Sequence, residues 1–491
     1  MVLFRYSLEL CSRYRLLSQQ IRFLHRSTYL LARGIRHSVE HPPISTSSFT
    51  NLNQNISIDN DDNNNNNNQM SIQEQFARLE LQRLEQESKQ IKDESSSFVD
   101  EDNLNQEEFE NEEKLSRPFI DPSTTSIILF PGQGTQFIGM GQQVINYPNV
   151  KEMFNIAHRI LGYDLYSKCI NGPIEELNQT LYAQPAIYVT SLAAVQKLKN
   201  ENQKAVENCV VTAGFSIGEI TALVFAGCMT YEDGLRLIKI RAEAMQTASN
   251  EVNSGMMSVF VGRETKLTLA IEAAREWCNK YMKIDIPCIQ IANHMYAECK
   301  VLAGHKEALQ FIAHNYKVFG IRRIKYLSVS GAFHTPLMAS AKLKLIKALD
   351  KIDMQPPLIQ VMSNVTGKRH SNDVATIKRS LSQQLTKCVL WEQSIHKMYQ
   401  RAKHESYPNT FECGPGRQLG YLLRLNNNKA YQQYHHKEKK LLNKLQQKNH
   451  CTTSPTTPRN TEQRCELVVI DFVSHCIDIL SDSKYRRNCS Y

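Results

Sequence analysis

Residues 209–227 read CVVTAGFSIGEITALVFAG, and the fold turns on how they are read. An apolar, strand-like run (209–213) gives way to GFSIGE (214–219), and then to a helix-like run (220–227). A serine between two glycines at such a junction has the G-x-S-x-G form of a nucleophile elbow, a sharp turn that lifts the Ser216 hydroxyl above the sheet edge. Gly214 and Gly218 leave room for that backbone. The amides that open the following helix favour developing negative charge. Taken alone, the stretch fits equally well a small residue at a tight turn.

Outward from the elbow, strand-like and helix-like runs alternate between about 125 and 425. They include SIILF (126–130), GLRLIKIRAEAMQ (234–246), MMSVFVG (256–262), KLTLAIEAAREW (266–277), KVLAG (300–304) and KEALQFIAHNY (306–316). Alternation of this kind predicts an α/β fold with a largely parallel sheet. Residues 255–322 read as a compact strand–helix–strand–helix insert. The large part is then expected over 121–254 and 323–428.

The flanks differ in composition. Residues 1–40 hold seven arginines, no lysine and only Glu9 before Glu40, with Leu, Ile and Phe interleaved. That is the make-up of a mitochondrial transit peptide; an ordinary amphipathic terminal helix is the alternative. Residues 41–120 combine the tract DNDDNNNNNNQ (59–69) with an acidic stretch, and disorder is expected there. Ile72, Phe76, Leu79, Leu84 and Ile91 stand at loosely helical spacing, which leaves a solvated helix or a partner-binding segment open. Residues 429–491 are expected to form a basic, mostly disordered tail.

The net charge of +9 conceals an asymmetry of +5 over 1–40, −11 over 41–117 and +15 over 118–491. A basic body suits an acidic partner or an anionic substrate. Nucleic acid is not expected, because no basic block interleaves with aromatics. The thirteen cysteines contain no CxxC pair, so neither a disulfide framework nor a metal site is expected. No apolar run reaches about 18 residues, so no membrane span is expected.

A nucleophilic serine needs a base. SVSGAFHTPLM (328–338) places His334 in a small-residue turn after a strand-like run, and Ser216 with His334 would make a nucleophile–base pair. LFPGQGTQ (129–136) sets two glycines around Gln133 at a strand end, where backbone N–H groups can be aimed at an oxyanion. Arg236, Lys239 and Arg241 lie on one helix-like run, and any that faces the cleft could clamp a substrate carboxylate.

FPGQG (130–134), AQPAI (183–187), GFSIGE, IRAEAMQ (240–246), SGAFH (330–334) and GPGRQLG (414–420) occur in this order. Together, from about 126 to 425, they resemble the malonyl-CoA:acyl carrier protein transacylase family of fatty acid synthesis, above all its animal mitochondrial form. The resemblance implies an α/β-hydrolase-like large subdomain with a parallel sheet, carrying a small ferredoxin-like α+β insert. It implies that Ser216 is acylated and that His334 is its base, oriented by a backbone carbonyl at Gln384 rather than by an acid. The N–H groups of Gln133 and Ile217 would form the oxyanion hole. Arg241 would pair with the malonyl carboxylate and Gln184 would line the same pocket. Phe333 would favour malonyl over methylmalonyl, and Asn293 matches a family asparagine at the acyl-CoA site. The implied partners are malonyl-CoA and an acidic acyl carrier protein with its phosphopantetheine thiol. The protein would act as a monomer in the mitochondrial matrix, without metal or redox cofactor. Bacterial members usually carry histidine where Phe215 stands, and a second asparagine where Met295 stands. Phe215 therefore reads as a pocket wall beside an intact dyad.

Two other classes compete. A serine hydrolase would use the same elbow, without the arginine clamp and with an acid as third member. A degenerate scaffold would keep the fold for binding alone, which intact Ser216, His334 and Arg241 argue against.

Overall fold

The computed structural model describes residues 71–94 and 121–435. The expected transit peptide, the Asn-rich tract and the tail beyond His435 lie outside them. Ten strands occur in the described part: β1 (Ser126–Phe130), β2 (Cys209–Gly214), β3 (Ser254–Phe260), β4 (Ile289–Tyr296), β5 (Cys299–His305), β6 (Arg323–Tyr326), β7 (Gln360–Val361), β8 (Val389–Leu390), β9 (Asn409–Glu412) and β10 (Tyr434–His435).

The first sheet has the order β10-β9-β1-β2-β7, and each of its pairs is parallel. Its centre is β1, whose five residues are all buried. Parallel sheets are covered on both faces, which is why the run IILF after Ser126 is continuously apolar. Ile128 and Phe130 enter the main core, whereas Ile127 and Leu129 enter a second one with Trp391 and Leu423 on the opposite face. The elbow and the FPGQG loop leave adjacent strands of this sheet at their carboxyl ends, since Phe130 pairs with Gly214. In open α/β sheets that edge is where ligands bind.

The second sheet, β6-β3-β5-β4-β8, is antiparallel except for β4 with β8. The parallel arrangement expected from the alternation therefore holds for the first sheet only. The insert runs β-α-β-β-α-β, with helices Leu267–Met282 and Lys306–Asn315, rather than strand–helix–strand–helix. Reading the sequence missed β4 because Asn293 and His294 interrupt its apolar pattern, so the hairpin into β5 leaves little signal. The sheet also takes in Arg323–Tyr326 and Val389–Leu390, beyond the expected 255–322. One face of this sheet packs with the insert helices through Met257, Val259, Ile289 and Leu302; Met256, Val301 and Ala303 belong to the main core.

Two flanking expectations need correction. Within 41–120, Ile72–Glu94 forms a helix. Phe76 supplies the reason: its ring meets Trp277, Tyr281 and Phe311 edge-on at centroid distances of 5.4, 5.5 and 6.1 Å. Ala77 is fully buried beside it, and Glu85 pairs with Lys266. An acidic stretch with few apolar residues can thus order once those few find an aromatic cluster. At the other end, Asn428–Tyr431 is helical and β10 extends the first sheet, so the fold runs to His435 rather than ending at 428.

Candidate active site

The elbow is built by close approach. Ser216 has φ 52° and ψ −105°, a conformation that non-glycine residues hold only when their surroundings impose it. Gly218 is pressed against the end of β1, so that a Cβ there would lie 2.2 Å from the Phe130 carbonyl oxygen. Asn364, just beyond β7, fastens the turn from outside. Its Oδ1 accepts from the Ser216 N–H at 2.7 Å, and its Nδ2 donates to the Gly214 carbonyl at 2.8 Å.

His334 also has positive φ, 61°, in its turn. Its Nε2 lies 2.9 Å from Ser216 Oγ and its Nδ1 lies 2.7 Å from the Gln384 carbonyl oxygen. A carbonyl can only accept, so Nδ1 carries the proton and Nε2 offers its lone pair to the serine hydroxyl. Burial lowers the imidazole pKa to about 4; the Gln384 bond opposes this and the nearby Arg241 charge adds to it. The ring is therefore neutral at physiological pH and ready to take a proton. Where a hydrolase triad would place a carboxylate, this site has a backbone carbonyl.

Arg241 lies on the helix Tyr231–Glu251, which is capped by Thr230 accepting from the Asp233 N–H. It belongs to the buried stripe with Leu237, Ile238, Ala242 and Met245. Arg236 instead faces outward to Asp233, and Lys239 reaches the Ile160 carbonyl. The fully buried Arg241 guanidinium donates to Gln184 Oε1 at 2.8 Å, Gln384 Oε1 at 2.8 Å and Ser216 Oγ at 3.0 Å. Desolvation lowers its pKa to about 10, with the Glu219 charge acting the other way, so it stays cationic at neutral pH. Gln184 in turn donates weakly to Gln133 Oε1 at 3.5 Å and to Met245 Sδ at 3.4 Å.

The structure thus joins Ser216, His334, Arg241, Gln184, Gln384 and Gln133 in one hydrogen-bonded chain. The loop bearing Gln133 touches the elbow: a Cβ on Gly132 would stand 2.6 Å from the Phe215 carbonyl oxygen. The Ile217 N–H opens the helix Ile217–Phe225, where amides lack intrahelical partners. Phe333 is buried in the main core next to His334. Asn293 is buried in β4 with an unpartnered Oδ1, and among the described residues it makes no hydrogen bond to Ser216 or His334. Its strand neighbour Gln290 does, donating to the His334 carbonyl at 3.0 Å. Phe215 turns away from the serine, and its ring meets Trp391 edge-on at 5.5 Å in the opposite core.

Asn364, Glu219 and His370 were not singled out from sequence. Asn364 lies three residues after a two-residue strand too short to recognise, although an asparagine at the carboxyl edge of a parallel sheet is a usable signal. Glu219 belonged to the quoted motif but has no role until the chain folds back on it.

The chain resembles known proteins over this same span. Residues 127–411 match the acyl transferase domain family. Over 322 residues the chain is 47% identical to the probable malonyl-CoA-acyl carrier protein transacylase, mitochondrial, of Drosophila melanogaster, covering 65% of this chain and 84% of that one. It is 45% identical over 337 residues to the malonyl-CoA-acyl carrier protein transacylase, mitochondrial, of Homo sapiens, covering 69% and 85%. Among solved structures, the malonyl CoA-acyl carrier protein transacylase of Clostridium perfringens superposes with a TM-score of 0.57 at 30% identity, covering 66% of this chain and 98% of that one.

Proposed function

Because this chain belongs to the acyl transferase domain family and, within it, to the mitochondrial malonyl-CoA-acyl carrier protein transacylases, we propose that Ser216, His334 and Arg241 carry its chemistry. The enzyme is an S-malonyltransferase that moves malonyl from malonyl-CoA to acyl carrier protein for fatty acid synthesis in the mitochondrion.

In the proposed mechanism, His334 Nε2 takes the Ser216 proton as Oγ attacks the thioester carbonyl of malonyl-CoA. The Gln133 and Ile217 N–H groups receive the resulting oxyanion. As the intermediate collapses, the C–S bond breaks and the CoA sulfur leaves with the proton from His334. The phosphopantetheine thiol of the carrier protein then attacks the malonyl ester, giving its proton to His334, which returns it to Ser216. Arg241 pairs with the free malonyl carboxylate, Gln184 lines its pocket, and Phe333 and Asn293 bound the space for the acyl-CoA. The reaction so written calls on no cofactor.

One observation carries this reading. A buried guanidinium, fixed by two glutamines, donates to the nucleophile's own oxygen beside a neutral imidazole. A plain hydrolase has no use for such a cation, whereas an enzyme selecting a second carboxylate does. The dyad, loop and clamp all come from one chain, which supports a monomeric catalyst. The basic body supports fast encounter with an acidic carrier protein. We place the enzyme in the matrix on the arginine-rich first forty residues. The large part is read as α/β-hydrolase-like, and the β-α-β-β-α-β order supports a ferredoxin-like insert.

The test is incubation of the purified protein with labelled malonyl-CoA. Label on Ser216 that moves to carrier protein is expected. Release of free malonate would favour a hydrolase, and no label at all a scaffold.

A further inference from the structure

Behind the elbow lies a second layer of polar groups that the transfer mechanism does not use. Glu219, three residues after the nucleophile, is fully buried. Its Oε1 accepts from the Asn364 N–H at 3.1 Å and lies 2.7 Å from Nε2 of the buried His370. Its Oε2 accepts from Gln384 Nε2. Gln384 is where the site converges. Its Nε2 also donates to the Ser216 carbonyl at 2.9 Å, its Oε1 accepts from Arg241, and its backbone oxygen accepts from His334.

The orientation of the Gln384 amide therefore decides whether Arg241 meets an acceptor or a second donor. Nothing in an amide's shape fixes that choice; its partners must. The acceptors at Glu219 Oε2 and the Ser216 carbonyl hold Nε2 on the side away from Arg241, which leaves Oε1 for the guanidinium, itself a donor only. We propose that Glu219, held by His370, is a positioning residue that sets the Gln384 amide and, through it, the Arg241 guanidinium. The proposal rests on the reading of Arg241 as the malonyl clamp.

Glu219→Gln tests it with little change of size. The Asn364 N–H is a fixed donor, so the new side-chain oxygen turns to it and the new NH2 faces Gln384. Gln384 Nε2 then meets a donor where Glu219 offered an acceptor, so the amide either turns over, setting NH2 against Arg241, or is pushed off its place between Arg241 and the Ser216 carbonyl. A misplaced charge-assisted bond predicts a loss of about 10- to 100-fold in kcat/KM for malonyl-CoA. Acetyl-CoA has no carboxylate to clamp, so residual acetyl transfer should fall much less, and the malonyl-over-acetyl preference should drop. The share of Ser216 titrated by a neutral serine-reactive fluorophosphonate should stay near wild type. Equal loss with both acyl groups would make Glu219 merely structural, and an unchanged preference would also overturn the proposal. Should Glu219→Gln fail to fold, His370→Leu carries the same readout, with the same direction and a smaller loss expected. His370→Gln, which keeps a donor for Glu219, should restore the preference; equal behaviour of the two His370 variants would count against the proposal. Failure of the wild-type enzyme to take label from malonyl-CoA would instead sink the clamp reading itself.

Discussion

Acid should switch Ser216 off far later than an ordinary histidine would allow. In the proposed mechanism His334 must be neutral at Nε2 to accept the serine proton, and burial holds its pKa at about 4. At about pH 5.5 an imidazole of ordinary basicity, near 6.5, is roughly nine-tenths protonated, whereas one near 4 is almost wholly neutral. The acylation rate at that pH should then be about tenfold above what an unperturbed dyad would give. The measurement is kcat/KM for formation of malonyl-enzyme in rapid-quench experiments, because kcat/KM reports groups of the free enzyme. We expect a profile flat from neutrality to about pH 5 that breaks near 4. Stability supplies a second reading of the same group. Between about 4 and 6.5 the unfolded chain binds a proton that the folded chain refuses, so stability falls as pH drops through that window. The loss is about 1.4 kcal/mol per pH unit, or about 3 kcal/mol in all. An acylation profile that breaks between 6 and 7 would refute the claim that desolvation governs this histidine.

Three further outcomes follow from named contacts. Arg241→Ala should lower kcat/KM for malonyl-CoA by about 10²-fold or more while sparing acetyl transfer, and should move the break in the pH profile upward, since the guanidinium helps depress His334. Gly132→Ala places a Cβ 2.6 Å from the Phe215 carbonyl oxygen, so the loop must shift. The acylation step should slow by about 10²–10³, read by single-turnover labelling. Phe76→Ala empties an aromatic contact on the insert, far along the chain from the dyad. Thermal unfolding should show a loss of about 2 kcal/mol, with acyl transfer unchanged.

The sequence carried the site more clearly than its framework. The elbow, the proposed base and the glycine loop are local patterns, each marked by small residues beside a chemical group. Arg241 was distinguishable from Arg236 and Lys239 in principle, since it alone shares the apolar stripe at three- and four-residue spacing with Ile238 and Met245. The insert hairpin was hidden by Asn293 and His294, whose polarity broke a strand pattern that tertiary pairing then enforced. The helix over Ile72–Glu94 was hidden because its few apolar residues gain value only from Trp277 and Phe311, about two hundred residues away. Glu219, Asn364 and His370 were illegible for a related reason. Each has a role only through partners that the folded chain brings from elsewhere.

The short strand β8 has a consequence for anyone who would treat the insert as a module. It begins five residues after Gln384 and pairs with β4, while Gln290 of β4 holds the His334 carbonyl. The histidine is thus gripped at its ring by the segment leading into β8 and at its backbone by the strand β8 pairs with. A graft that exchanged the insert for that of a relative would move both grips at once. Chimaeras should be cut so that Gln290, Gln384 and Val389–Leu390 travel together.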